Sequence, residues 1–194
     1  MDELNLSHSN DNSVISRETE ANSMNTSTSE GKCHFSVVNE SQIIKAIVTN
    51  LKEIIEENRK RINLKYISKD NIFYMERLPN ISLGDYILHI MKYTHINIST
   101  LILAVIYIDI FCEKYKYVLT FHNIYRIILI SIFLSIKYNE DFFINANLYA
   151  QIAGVCPEDL LNLELNMCVA LEFGFYVKED LYQQYFVYFS KYSS

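Results

Sequence analysis

The chain has 194 residues, of which 50% are hydrophobic and 21% are charged. This length allows one domain with a full core and little more, and the scarcity of glycine (4) and proline (2) favours long helices over sheets, whose turns need those residues. The net charge is −6, of which residues 1–30 carry −5 (six acidic residues and one arginine), so the remainder carries about −1 and has no basic stripe. This distribution argues against nucleic acid as the main partner.

The N-terminal segment is dominated by serine, threonine and asparagine and has almost no aromatic residues. Such a segment buries too little apolar surface to offset its ordering entropy, so residues 1–38 are predicted to be a disordered acidic tail. It has no secretory pattern, and the four cysteines of the chain are scattered without metal-ligand spacing. We therefore expect a reducing location in the nucleus and/or the cytoplasm, with no metal and no other cofactor.

Helical periodicity begins after this segment. Between Asn39 and Asn58, apolar residues recur at the 3.6-residue spacing of one helix face, namely Ile44, Ile47, Val48, Leu51, Ile54 and Ile55. The pattern predicts an amphipathic helix that packs on its own domain or, less readily, on a partner. Residues 39–71 are accordingly assigned to this helix and a linker.

Two further helices are predicted from their capping residues. Ser82 is a good N-cap, and Asp85 stands where an acid reciprocates the cap. Asn97 or Ser99 begins the next helix, which is almost wholly apolar until Glu113.

The stretch from Thr120 to Asp141 is the centre of the predicted fold. Thr120 is a plausible N-cap, no glycine or proline interrupts the run, and apolar residues cover every side of the helix until Lys137. A helix of this kind must be enclosed by other helices or by lipid. Its apolar core, Ile127–Ile136, is shorter than the roughly 20 residues that a membrane span needs, and so we expect no membrane and a buried helix.

The remaining pattern completes an all-α fold. A short helix from Asn145 to Ala153 ends at Gly154, and Pro157 begins a helix that runs to Gly174. An aromatic-rich helix over 178–188 follows. The prediction is five consecutive helices between residues 82 and 173, flanked by one helix on each side.

Four stretches carry a resemblance to a known family: LPNISLGDYILHIMKYT, LILAVIYIDIFCEKY, LTFHNIYRIILISIFLSIKYNEDFFINANLYAQIAGV and LNLELNMCVALEFGFYV. From Ile72 to Phe186, the chain resembles the cyclin box of single-box P- or U-type cyclins, relatives of the fungal phosphate-regulatory cyclins. The resemblance implies a five-helix cyclin box over residues 72–190. It also implies a non-enzymatic regulatory subunit that binds and activates a cyclin-dependent protein serine/threonine kinase by pressing on the kinase's mobile regulatory helix.

The resemblance assigns the kinase contact to Lys137 and Glu164, which match the family's polar anchors in the third and fifth box helices. Lys137 is the first charge after ten uncharged residues, and Glu164 has Leu160, Leu161 and other apolar helical neighbours. A carboxylate in such a stripe needs a partner. Two structural alternatives stay open: an ordinary helix C-terminal cation at Lys137, worth about 0.3–1 kcal/mol, and an internal partner for Glu164, including Lys137 itself.

Asp109 matches a structural aspartate of the family that normally pairs with an arginine in the first box helix. This chain departs from the pattern, because that helix offers His89 and Lys92 but no arginine. Arg126 is a substitute candidate for the structural partner of Asp109. A second departure is Ala153, where relatives often have glycine.

Two other function classes remain. One is a transcription-factor-like adaptor, which would want a second box and a basic face, and the other is a cyclin-fold scaffold that does not activate a kinase. Nothing in the chain matches a catalytic constellation or a phosphate-cradling glycine loop. The sequence leaves undecided which kinase is bound and whether cell division, a phosphate response or transcription is regulated.

Overall fold

The computed structural model describes residues 40–61 and 71–192, and in these ranges the chain is all-helical. Five consecutive helices form the expected box and one helix flanks it on each side, which confirms the predicted fold class. The predicted tail over residues 1–38 and most of the predicted linker lie outside the described residues. The helices are α1 (Glu40–Arg61), α2 (Leu83–Thr94), α3 (Ile98–Tyr115), α4 (Ile124–Asn139), α5 (Ala146–Ala153), α6 (Pro157–Ala170) and α7 (Glu179–Tyr192).

Helix α4 is enclosed by protein on every side, as predicted. Each residue from Ile127 to Ile136 is buried, and α4 packs against α2, α3 and α6. Even the two serines of this stretch are buried, and the Ser135 hydroxyl donates to the carbonyl of Thr100 at 2.9 Å. Within the described part of the chain, no helix is long and apolar enough to cross a membrane.

The start of α4 differs from the expectation. Thr120 is not its N-cap, because the helix begins at Ile124 and the Thr120 hydroxyl has no hydrogen-bond partner among the described residues. The side chain of Asn123 instead accepts the backbone N–H of Thr120 at 2.8 Å and donates to the carbonyl of Val118. Asparagine closes such turns readily because its short side chain bonds nearby backbone groups.

Most other helix ends follow their predicted signals. The Ser82 hydroxyl accepts the backbone N–H of Asp85 at 3.1 Å and donates to its carboxylate at 2.6 Å. Asn97 begins α3 by accepting from the backbone of Thr100 at 3.0 Å. Gly154 ends α5 with φ 71°, the left-handed conformation that favours glycine. Pro157 occupies the first turn of α6.

Helix α6 ends earlier than predicted, at Ala170. The chain turns through Glu172 and Phe173, whose φ angles of 52° and 56° are left-handed. The turn is closed by the backbone N–H of Phe173, which donates to the carbonyl of Cys168 at 2.9 Å. Sequence reasoning placed the turn at the following glycine, which is the residue type that usually adopts this conformation.

The N-terminal helix lies on its own domain. Its apolar face joins the common core, and α1 packs against α2, α3 and α7. The side-chain amide of Asn50 donates to the Tyr188 hydroxyl at 2.9 Å and so joins α1 to α7. Of the aromatic residues of α7, Tyr185 and Phe189 are buried, so this side of the helix belongs to the core.

Asp109 is a buried residue of α3 whose carboxylate accepts a hydrogen bond from the hydroxyl of Tyr185 at 2.5 Å. Arg126 is not its ion-pair partner, contrary to the sequence interpretation. The guanidinium of Arg126 donates to the carbonyl of Ile72 at 2.6 Å and lies 3.6 Å from the carboxylate of Asp159 at the start of α6. Asp109 is thus bonded by a tyrosine on α7, and the arginine on α4 bonds other groups.

Replacing Tyr185 by phenylalanine is expected to destabilise the fold. The change removes the phenolic donor from the buried carboxylate of Asp109 and should lower the free energy of unfolding by about 1–3 kcal/mol. Urea denaturation followed by circular dichroism measures the effect. Tyr176→Phe is the control, because that side chain is exposed, and it should change stability by less than about 0.5 kcal/mol. Equal stabilities of the two variants would contradict the role assigned to Tyr185.

Candidate functional site

Lys137 and Glu164 are brought together by the fold. The ammonium group of Lys137, in the last turn of α4, donates to the Glu164 carboxylate on α6. The two side chains are 35% and 14% exposed, so the pair lies at the border between core and solvent. The internal partner that the sequence left open for Glu164 is therefore present, and the role of both residues in binding a kinase stays a prediction.

The position of Lys137 follows from the shape of α4. The helix is buried over ten residues before it, and its C-terminal end is where the chain first reaches solvent. The ammonium also lies 5.4 Å from the centre of the Phe133 ring, a distance typical of a cation–π contact. Two interactions and a favourable helix dipole thus hold the charge in place.

Helix α6 has one buried face and one exposed apolar face. Leu160, Leu163 and Met167 are buried, whereas Leu161 and Leu165 are each more than half exposed. Val169 is also more than half exposed, and the spacing of four residues aligns the three exposed side chains in a row along the helix. We call this row the α6 face. Between positions 160 and 171, Glu164 is the one charged residue, so a long solvent-facing surface carries almost no charge.

Two exposed aromatic residues, which we call the aromatic rim, follow the C-terminal ends of α4 and α6. Phe143 follows α4 and is 84% exposed, and Phe173 follows α6 and is 62% exposed. Phe173 also holds a left-handed backbone, which costs an L-residue about 1–2 kcal/mol. An exposed aromatic side chain in a strained position contributes little to stability in the free chain. Such a residue indicates a contact surface.

Stacked aromatic rings and a cysteine thiol lie beside the ion pair. Tyr138 stacks on Phe175 with ring centres 3.9 Å apart, and the hydroxyl of Tyr107 fixes Phe175 by donating to its carbonyl at 2.8 Å. Burial raises the pKa of the Cys168 thiol, and the Glu164 carboxylate raises it further, whereas the ammonium of Lys137 lowers it. The Cys168 thiol therefore senses both charges of the ion pair.

The described residues assemble no cluster of metal ligands. Over 40–61 and 71–192, no group of three or more His, Cys, Asp or Glu side chains is placed to hold a metal ion. The imidazoles of His89 and His122 lie 3.0 and 2.8 Å from the carbonyl oxygens of Ile152 and Met75, respectively. His89 thus joins α2 to α5, and His122 joins the turn before α4 to the loop before α2.

Sequence reasoning found the charges of this surface but missed its apolar part. It grouped Leu160 and Leu161 together as neighbours of Glu164, although one is buried and the other is exposed. Leu165, Val169 and the exposed phenylalanines were not singled out. A signal was available, because the spacing of four residues places 161, 165 and 169 away from 160, 163 and 167 on a helix.

The comparisons with known proteins all point to one family. The profile of the family described as Cyclin matches residues 5–175. Cyclin-U2-1 of Arabidopsis thaliana is 26% identical over 157 residues, which cover 78% of this chain and 71% of that protein. Cyclin-P3-1 of Oryza sativa subsp. japonica is 23% identical over 145 residues, 74% of this chain and 61% of the relative. Cyclin-U3-1 of Arabidopsis thaliana is 34% identical over 95 residues, 49% and 43% of the two chains.

The reactivity of the Cys168 thiol is expected to report the ion pair. In a chain carrying Cys33→Ser and Cys156→Ser, Lys137→Gln should raise the pKa of Cys168 and slow its reaction with iodoacetamide near pH 8, because the thiolate loses a nearby cation. Glu164→Gln should lower that pKa and speed the reaction.

Mass spectrometry of the alkylated peptide over a pH series measures both effects. Glu158→Gln, an exposed change on the same helix, should leave the profile of Cys168 unchanged. If both charge-neutralising variants moved the pKa in the same direction, the geometry assigned to the ion pair would be wrong.

Proposed function

Because the chain belongs to the cyclin family, we propose that it is the regulatory subunit of a cyclin-dependent protein serine/threonine kinase, which it binds and activates. The observation that carries the proposal is the nearly uncharged, solvent-facing α6 face, with the ion pair of Lys137 and Glu164 at its edge. Interface centres are depleted of charge and hold a few anchoring residues, and this surface has that composition.

The proposed mechanism uses shape and burial. In the cyclin family the third and fifth box helices press on the kinase's mobile regulatory helix, and in this chain those helices are α4 and α6. Leu161, Leu165 and Val169 would lose their exposed apolar area against that helix, which is the favourable term in the contact. The kinase helix would then be held where its glutamate meets the catalytic lysine.

The ion pair would fix the orientation of the kinase on this surface. An ammonium has three donors and a carboxylate has two oxygens, so Lys137 and Glu164 can stay paired and still bind further polar groups of a partner. Both side chains are held by α4 and α6, and little conformational entropy is lost when they engage a partner. An interface of the standard size, about 800 Å² on each partner, would cover the α6 face and its aromatic rim.

A scaffold that does not activate a kinase is the second candidate. The ion pair satisfies itself within the fold, which is also what a purely structural pair would do. The two functions differ in whether Lys137 and Glu164 act on another protein or only join α4 to α6.

The double variant Lys137→Ala with Glu164→Ala is expected to lose kinase binding while remaining folded. Removing both partners leaves no unpaired charge, so the free energy of unfolding should fall by less than about 1 kcal/mol. Binding should weaken by about 2 kcal/mol or more, the cost of losing interface anchors, or about thirtyfold in Kd. The measurements are titration with a cyclin-dependent kinase that co-purifies with the wild-type chain and phosphorylation of a peptide substrate.

A charge exchange separates the two candidate functions. Lys137→Glu with Glu164→Lys restores the internal pair but inverts what a partner meets, so it should stay folded and still fail to bind and activate the kinase. Removing Glu56 and Arg59, an exposed ion pair on α1 with 3.6 Å between its charged atoms, is the matched control. Normal kinase activation by the exchanged chain would contradict the assignment of Lys137 and Glu164 as kinase contacts and would favour the scaffold.

Phe173→Gly is expected to stabilise the free chain and weaken the complex. Glycine relieves the left-handed backbone strain, by about 1 kcal/mol, and deletes an exposed ring from the rim. His95→Gly is the matched control, because His95 is also left-handed, with φ 56°, and lies at the end of α2. Urea denaturation should show a gain for both variants, whereas kinase titration should show a loss only for Phe173→Gly.

A further inference from the structure

A cavity of about 370 Å³ lies between the C-terminal part of α1, the loop before α2 and the turn that leads into α4. Its walls are mainly apolar and include Ile55, Leu78 and Phe121. Its volume is within the range of about 300–1,000 Å³ that is usual for small-molecule sites. One wall is rigid, because the ring of His122 stacks on Tyr74 with centres 5.2 Å apart.

One buried polar group in this wall lacks a partner. Thr120 is 6% exposed, and its backbone N–H and carbonyl are hydrogen-bonded to the side chain and the backbone of Asn123, respectively. The hydroxyl of Thr120, in contrast, has no hydrogen-bond partner among the described residues. A buried hydroxyl without a partner costs free energy, and a ligand with a polar end would remove that cost.

The cavity also has a cation in its lining. Arg59 contributes to the wall, and its guanidinium is 3.6 Å from the Glu56 carboxylate, with both side chains well exposed. This is a loose surface pair that leaves most of the donors of the guanidinium available. Lys60 and Arg61 follow directly and keep the local charge positive.

From these features we infer that the cavity is a binding site for a small apolar carboxylate, such as a medium-chain fatty acid. The apolar chain would lie against Ile55, Leu78 and Phe121. The carboxylate would accept hydrogen bonds from Arg59 and, once the Thr120 side chain rotates towards the cavity, from the buried hydroxyl of Thr120. Apolar walls, an unpartnered hydroxyl and a cation together match an amphipathic anion better than a neutral or cationic molecule.

This site is independent of the proposed kinase surface. It lies beside the N-terminal end of α4, whereas Lys137 lies near the C-terminal end, and a helix of 16 residues is about 24 Å long. Because the ligand would contact both α1 and the turn before α4, it would hold the flanking helix to the box. A ligand that binds only the folded state would also raise the Tm of the chain.

The test uses sodium octanoate as the probe, with 1-octanol and octylamine as matched neutral and cationic probes. Isothermal titration and thermal unfolding of the full chain should show octanoate binding about tenfold more tightly than 1-octanol, because charge-assisted hydrogen bonds are lost with the alcohol. Octylamine should bind more weakly still. Equal affinities for the three probes, or no octanoate binding, would overturn the proposal.

Three variants locate the site. Arg59→Gln should weaken octanoate binding about tenfold and leave 1-octanol unchanged. Arg61→Gln is its matched control, because that side chain has similar exposure and pairs with Glu57 at 3.7 Å but does not line the cavity. Thr120→Val should weaken octanoate binding without destabilising the free chain.

The double variant Lys137→Ala with Glu164→Ala should bind octanoate like the wild type, whatever its effect on kinase binding. This result would separate the two proposals. Identical octanoate affinities for Arg59→Gln and Arg61→Gln would contradict the assigned carboxylate contact.

Discussion

The enclosure of α4 is the constraint on which the rest of the molecule depends. Ten consecutive buried residues leave no face of this helix for solvent, so other helices must surround it. Three of them, α2, α3 and α6, pack directly against it. The consequence for function is geometric, because the helix offers only its ends to other molecules. The C-terminal end presents Lys137, and the N-terminal end follows a turn that closes on Asn123.

The same constraint explains the two faces of α6. Leu160, Leu163 and Met167 are used against the core, and nothing in the described chain covers the opposite row. Glu164 lies at the border of the two faces, where Lys137 reaches it. A surface helix of a free-standing domain usually carries charge on its outer face, and α6 carries leucine and valine. The helix is therefore both an internal strut and an external surface, and the ion pair marks the boundary between them.

Local signals were readable from the sequence. The caps at Ser82, Asn97 and Gly154 and the enclosed helix depend on neighbouring residues or on periodicity, and the structure has them as predicted. Long-range partners were not readable. Tyr185 meets Asp109 across 76 positions, and no pattern within either helix announces that contact. The Thr120 cap is wrong because α4 begins at Ile124, and the side chain of Asn123 closes the preceding turn by accepting the backbone N–H of Thr120.

Rigidity links the fold to the proposed function. A surface that must displace a mobile element of another protein has to be stiffer than that element, or the contact would deform the wrong partner. Lys137, Glu164 and the α6 face lie on helices whose opposite sides are buried, and the stacked rings of Tyr138 and Phe175 support the adjoining turn. Among the described residues, the left-handed non-glycine positions lie at helix ends and in the turn after α6, namely His95, Lys116, Glu172 and Phe173, and none lies inside a helix. The buried core thus fixes Lys137 and Glu164 in advance, so in the proposed complex little binding free energy would be spent on ordering them.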